Sequence, residues 1–283
     1  MPVKKPVSCV NNLLNILTFN QEESVAKIIL KNAEELDGMR AAGRVAANIR
    51  VRLAKEIAPG ITTQELDLFA RDLIDQAGAR SAFINYAGPR GVPPYPGYTC
   101  ISVNEEVVHG IPGDRKIRLG DIVSIDVGVV YKGFIGDNAM TVPVGVTDQN
   151  VLELIRVSEL SLMNGIEQAV EGNRLTDISH AIESTVIPYG FGVVRDFVGH
   201  GVGRTMHEPP QIYNFGPPGR GPILKEGMTL AIEPMVNLGT HDVKTLSDGW
   251  TVVSADRKYS VHVEHTIAVH KGKAEILTLP DDA

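Results

Sequence analysis

The 283-residue chain is 43% hydrophobic and 22% charged, which is ordinary for a folded globular protein and enough for one large core or two small ones. A net charge of −7 argues against nucleic-acid binding through bulk positive charge, and no apolar run is long enough to cross a membrane. Two cysteines, Cys9 and Cys100, allow one disulfide and no Cys-x-x-Cys zinc motif, so a reducing cytoplasm is the expected compartment.

Residues 1–30 read as an appended extension, since asparagines interrupt the apolar stretch of MPVKKPVSCVNNLLNILTFN. The alternative there is an organellar transit peptide. Residues 31–57 carry apolar side chains at helical spacing and no proline. A second amphipathic helix follows in PGITTQELDLFARDLIDQAGA, with Thr62 or Thr63 as its N-cap and Gly78 at its end. Residues 80–98 form a Pro/Gly-rich loop with three tyrosines. Strands are expected at 99–104, 121–131 and 134–144.

About 112 residues after the first helix pair, a helix–turn–helix pattern returns in ELSLMNGIEQAVEGNRLTDISHAIESTVIPYGFGV. There Gly60, Leu66, Ala70 and Gly78 are answered by Gly172, Ile178, Ile182 and Gly190. Residues 198–212, VGHGVGRTMHEPPQI, are too rich in Gly and Pro for a helix and read as a rigid loop bearing His200 and His207. Another loop occupies 214–222, and strands are expected at 228–236, 250–255 and 259–269. Two helix pairs, each followed by antiparallel strands, predict an α+β fold of two similar halves.

Four carboxylates fall in strands that otherwise read as sheet core. Asp126 and Asp137 flank the Tyr131-Lys132-Gly133 turn, and their separation puts both on one face of the hairpin. Glu233 interrupts the apolar LAIEPMV, and Glu264 lies in YSVHVEHTIAV. For one such residue a solvated sheet face is the simpler explanation. Four together with two histidines are harder to explain so, because unpaired buried carboxylates are costly. A pair of divalent cations would neutralise them, and oxygen donors with one imidazole suit Mn, Fe, Co or Zn.

The segments GDIVSIDVGVVYKGFIGDNAMT, GHGVGRTMHEPPQI, GMTLAIEPM and DGWTVV…VEHTIAV resemble the type I methionine aminopeptidases, over about Glu34 to Leu279. The resemblance implies the pita-bread fold, two pseudo-twofold-related halves, in a single catalytic domain over 31–283. It implies a dimetal hydrolase that removes N-terminal methionine from nascent chains when the second residue is small. Asp126, Asp137, His200, Glu233 and Glu264 match the metal ligands, with Asp137 and Glu264 bridging two divalent ions of undetermined identity. His207 would stabilise the oxyanion, His109 would orient the scissile amide, and Glu233 would shuttle the proton. Tyr86, Tyr95, Cys100, His109, Met206, His207 and Trp250 match the substrate-binding pocket.

The chain departs from the family at AGPRGVPP, an insertion between Tyr86 and Tyr95 at the pocket mouth, and at Phe83 and Val108, where relatives commonly carry cysteines. The short interval from His207 to Glu233 excludes the helical insertion of the type II enzymes. The resemblance further implies a cytoplasmic monomer acting near the ribosome, without membrane or direct nucleic-acid partners. The alternatives are an Xaa-Pro aminopeptidase or prolidase, which usually carries a separate N-terminal domain, and a metal-free binding module on the same fold.

Overall fold

The computed structural model describes residues 27–281. Residues 1–26 of the expected extension, Cys9 among them, lie outside the described residues. No helix among the described residues is long and apolar enough to cross a membrane.

Helix α1 (Ala33–Glu56) starts at Asn32, whose side chain accepts from the Glu35 N–H while the Glu35 carboxylate accepts from the Asn32 N–H. Helix α2 (Thr63–Gln76) repeats this capping box with Thr62 and Glu65. Each box satisfies two amide donors that a helix start leaves unpaired. After β1 (Arg80–Ser81), β2 (Cys100–Val103) and β3 (Glu106–Val108) come the long strands β4 (Ile122–Tyr131) and β5 (Phe134–Pro143). These two form a hairpin closed by Lys132 and Gly133, both at positive φ, as a two-residue turn between twisted strands requires. Strand β5 pairs along one edge of β4, and β1 and β2 share the other.

The second half opens with α3 (Gln149–Gln168) and α4 (Leu175–Val186). Helix α3 begins ten residues before the first periodic residues recognised in the sequence, because Asp148 caps it. The internal repeat is physical. Gly60 and Gly172 share a positive φ of 100° and 97°, and Gly78 and Gly190 one of 66° and 73°. Leu66 and Ile178 are both fully buried, one in each half-core. Isolated bridges Thr62↔Lys116 and Arg174↔Ile223 close the same loop in each half.

The remaining strands are β6 (Gly192–Val193), β7 (Gly199–Gly201), β8 (Glu208–Ile212), β9 (Thr229–Ile232), β10 (Met235–Asn237), β11 (Val243–Thr245), β12 (Val252–Ser254), β13 (Ser260–His262), β14 (His265–Ala268) and β15 (Glu275–Ile276). They form a β15-β14-β9-β7-β8 sheet and two three-stranded sheets, β13-β10-β6 and β11-β12-β3. Two sequence expectations change here. The stretch 198–212, expected as a loop, contains β7 and β8, with His200 paired to Gln211. Pro209 and Pro210 are tolerated because β8 is an edge strand. The strands expected at 228–236 and 259–269 are each broken, at Glu233-Pro234 and Val263-Glu264.

Helix α1 lies tightly on the β4–β5 hairpin. A Cβ on Gly136 would stand 2.2 Å from the Ala42 carbonyl oxygen, so the approach depends on glycine. Between the half-cores a third apolar cluster, including Met39, Phe134, Met206 and Ala231, joins the halves beneath the site.

Candidate metal centre

The carboxylates arrive by register. In the hairpin Asp126 pairs with Ala139 and Asp137 with Gly128, so the two acids lie diagonally on one face. Across the broken strands, Ile232 pairs with His265 and Met235 with His262. The same register carried through the gap sets Glu233 opposite Glu264. Strand β5 is stitched onto this gap: the Glu264 N–H donates to the Ala139 carbonyl at 3.0 Å, and the Thr266 hydroxyl to that of Asp137 at 2.7 Å. Carboxylate oxygens of Asp126, Asp137 and Glu264 lie within 4.8 Å of one another. The interruptions are therefore where the two halves meet.

Burial, reinforced by neighbouring negative charge, pushes Asp126, Glu233 and Glu264 well above the usual carboxylate range. Burial also pushes Asp137 up, to about 7. Arg50 opposes this at Glu264, but it is itself buried and its guanidinium donates to the Ala139 carbonyl.

His200 Nδ1 is 2.9 Å from the Gly201 carbonyl oxygen, which can only accept, so that nitrogen carries the proton. Its Nε2 therefore presents a lone pair, 3.4 Å from Glu233 and 3.7 Å from Asp137. A lone pair facing two ionised carboxylates is repulsive unless a cation or a proton lies between them. Asp126 Oδ1, Asp137 Oδ1 and Glu264 Oε1 are buried without hydrogen-bond partners. Such orphaned oxygens cost several kcal/mol each. The donor set, buried carboxylates with one correctly oriented imidazole, thus fits a divalent metal ion.

His207 stands just before β8 at the exposed rim, its ring 4.4 Å from that of His200. Burial holds His200 and His109 down to about 4, with His207 adding to both, and lowers His207 as well. All three imidazoles are thus held towards their neutral form.

Beside the carboxylates lies a cavity of about 140 Å³. Tyr86, Tyr95, Cys100, Met206 and Trp250 line it, together with Asp126, Asp137, His109, His200 and His207. Every residue expected in the pocket lines it. Glu233 and Glu264 do not contribute to its wall. Cys100 is placed by pairing directly with Asp126, and burial raises its thiol well above the usual range. Trp250 meets Tyr95 and His109 edge to face, at 5.3 and 6.2 Å.

The insertion at 87–94 is tied at its stem by reciprocal backbone bonds, Asn85 N–H to the Tyr95 carbonyl and Tyr95 N–H to the Tyr86 carbonyl. It leans on the pocket wall, where the Pro93 carbonyl accepts from the Trp250 indole N–H at 2.8 Å. A second, open depression of about 490 Å³ shares His200 and His207 with the cavity and runs outward along Gly199, Pro209 and Gln211.

Sequence reasoning missed two residues. Phe83, whose ring packs over Gly128, is a further wall of the cavity. His262 is buried with its Nε2 3.5 Å from Glu233. Its same-face spacing with Glu264 was the available signal.

A family model described as Metallopeptidase family M24 matches residues 37–271. The chain is 52% identical over 252 residues to a methionine aminopeptidase of Clostridium perfringens, covering 89% of this chain and 99% of the relative. It is 51% identical to methionine aminopeptidase 1 of Bacillus subtilis, with the same coverage. A crystal structure of methionine aminopeptidase from Thermotoga maritima superposes with a TM-score of 0.85 at 45% identity, covering 89% of this chain and 99% of that one. The two-halved architecture with its broken strands is the pita-bread fold, and the chain belongs to metallopeptidase family M24, on its methionine aminopeptidase branch.

Proposed function

We propose that this protein is a metal-dependent aminopeptidase that removes the N-terminal methionine of polypeptides. The observation that carries the reading is the joining of three buried carboxylates, within 4.8 Å of one another, to a small apolar cavity. About 140 Å³ admits one unbranched side chain and little more, with polarizable and aromatic walls that suit a thioether. The open depression beyond His200 and His207 takes the rest of the chain, so one side chain is enclosed and the remainder lies outside.

Asp126, Asp137, His200, Glu233 and Glu264 would hold divalent ions, two in number, drawn from Co, Mn, Fe or Zn. Bound there, such ions lower the pKa of a coordinated water and polarise the scissile carbonyl. His207, at the junction of cavity and depression, donates to the developing oxyanion. His109, fixed against Trp250 and Phe197, orients the scissile amide. Glu233 would take a proton from the attacking water and deliver it to the leaving amine. Asp126 faces the cavity end where the substrate's free amino group would lie, which confines cleavage to the first residue. With this reading go nascent-chain substrates with a small second residue, met in the cytoplasm near the ribosome by a monomeric enzyme. The prolidase and binding-module alternatives are not favoured, given the methionine aminopeptidase relatives and the complete carboxylate set.

The test is turnover of a Met-Ala-Ser peptide beside Ala-Pro and Met-Leu peptides, using protein stripped with EDTA and reloaded with Co²⁺ or Mn²⁺. Metal-restored release of methionine from Met-Ala-Ser alone is expected. Cleavage of Ala-Pro alone, or no turnover with ions bound, overturns the reading.

A further inference from the structure

We propose that His262 is a positioning residue for Glu233, donating from Nε2 to Glu233 Oε2 so that the carboxylate presents Oε1 towards His200. The inference rests on the reading of Glu233 as a working carboxylate.

His262 is the last residue of β13, immediately before the strand break, and only 3% of its surface is exposed. Its backbone is fixed on both sides, with its carbonyl accepting from the Thr141 hydroxyl at 2.9 Å and its residue paired to Met235. The ring is therefore aimed by the sheet. Its Nε2 is buried without a hydrogen-bond partner, 3.5 Å from Glu233 Oε2. A bare lone pair there would face a carboxylate oxygen, so the favourable tautomer carries its proton on Nε2 and directs it at Glu233. A shift of a few tenths of an ångström makes that a full hydrogen bond.

Two imidazoles thus bracket one carboxylate with opposite polarity. His200, its proton committed to Gly201, offers Glu233 Oε1 a lone pair at 3.4 Å, and His262 offers Oε2 a donor. With Glu233 ionised, only the Oε1 side calls for a cation. Glu233 follows the end of β9 and its carbonyl accepts from the Asn214 side-chain amide at 3.0 Å, which holds the backbone but leaves the orientation of the carboxylate open. A donor on the far oxygen supplies that orientation, as a hydrogen bond behind a ligand commonly does.

The experiment compares His262→Gln, whose amide nitrogen reaches the Nε2 position, with His262→Asn, whose shorter amide does not. His262→Thr, equally short and well suited to a strand, serves as a second short variant should the asparagine form not fold. Full-length metal-stripped protein is titrated with Mn²⁺ by calorimetry, and kcat and KM are measured separately on Met-Ala-Ser. His262→Gln should remain near wild type in both. His262→Asn should lose about 10- to 100-fold in Mn²⁺ affinity or kcat with KM little changed. Wild-type values in His262→Asn overturn the proposal. Loss of a bound ion in both variants also overturns it, since His262 would then itself be a ligand. Should wild type bind Mn²⁺ yet release no methionine, the functional reading fails, and the calorimetric comparison still decides the role of His262.

Discussion

The Tyr86 hydroxyl lies 2.6 Å from Nδ1 of His207, and the two rings meet edge to face at 5.6 Å. A phenol is the stronger donor of the pair, so the imidazole accepts at Nδ1 and carries its own proton on Nε2. A pocket wall therefore also fixes the tautomer of the proposed oxyanion donor. Tyr86→Phe keeps the wall and removes the bond. A net hydrogen bond of about 1 kcal/mol corresponds to a fall in kcat of roughly fivefold, with KM little changed. Steady-state kinetics on a methionyl peptide check this, and a change in KM alone would reduce Tyr86 to a wall.

Lys31 and Glu208 form an ion pair at 2.6 Å with side chains only 4% and 5% exposed. Glu208 follows His207 and also accepts from the Arg204 N–H at 3.0 Å, so this pair braces the turn before β8. Lys31→Met leaves a buried carboxylate without its cation. The expected loss is about 3 kcal/mol in urea unfolding, because breaking a buried pair strands the remaining charge. Lys31→Met with Glu208→Gln should recover part of it.

Removal of metal should make stability fall with rising pH. Asp126, Asp137, Glu233 and Glu264 retain protons in the folded metal-free state at pH values where the unfolded chain has released them. Stability therefore falls as pH rises through their folded values, that of Asp137 being about 7. His109 and His200, depressed to about 4, act in the opposite direction, but only below their ordinary value of 6.5. Above about pH 6.5 the histidines add nothing further, and each carboxylate still protonated in the folded state costs up to about 1.4 kcal/mol per pH unit until its folded value is passed. Melting in EDTA should fall as pH rises above 6.5, and Mn²⁺ should flatten the slope. A slope unchanged by Mn²⁺ would place its origin elsewhere.

Gly136→Ala tests the packing of α1 on the hairpin one residue from Asp137. The added carbon meets backbone, at Ala42 O and Gly43 N, which cannot turn aside. Destabilisation of about 2–3 kcal/mol is expected, read as a lowered urea midpoint with an unchanged slope.

Much of the fold was legible in local chemistry. Thr62, Gly78 and Gly190 mark helix ends because capping and left-handed backbone are satisfied by few residue types, whereas the Asn32 cap emerged only in the structure. The 112-residue repeat survived in punctuation because glycines at positive φ are hard to replace, while the buried positions between them accept any apolar side chain of similar volume. That Asp126 and Asp137 share one face followed from an even-numbered turn and the period-two alternation of strands, and the register of the hairpin makes them diagonal. Resemblance then gave His200, Glu233 and Glu264 their expected roles as ligands.

What the sequence by itself determined is therefore whatever rests on neighbours along the chain: caps, turns, hairpin register and the anomaly of acids in apolar strands. The tertiary structure decided what depends on distant segments. It placed the strand breaks at Glu233 and Glu264, where β5 intrudes and its Ala139 carbonyl takes the Glu264 N–H. It gave His207 its partner Tyr86, 121 residues away, and brought His262 to Glu233 across paired strands. Periodicity reports which face a side chain takes, and only the packing of one half against the other determines what that face meets.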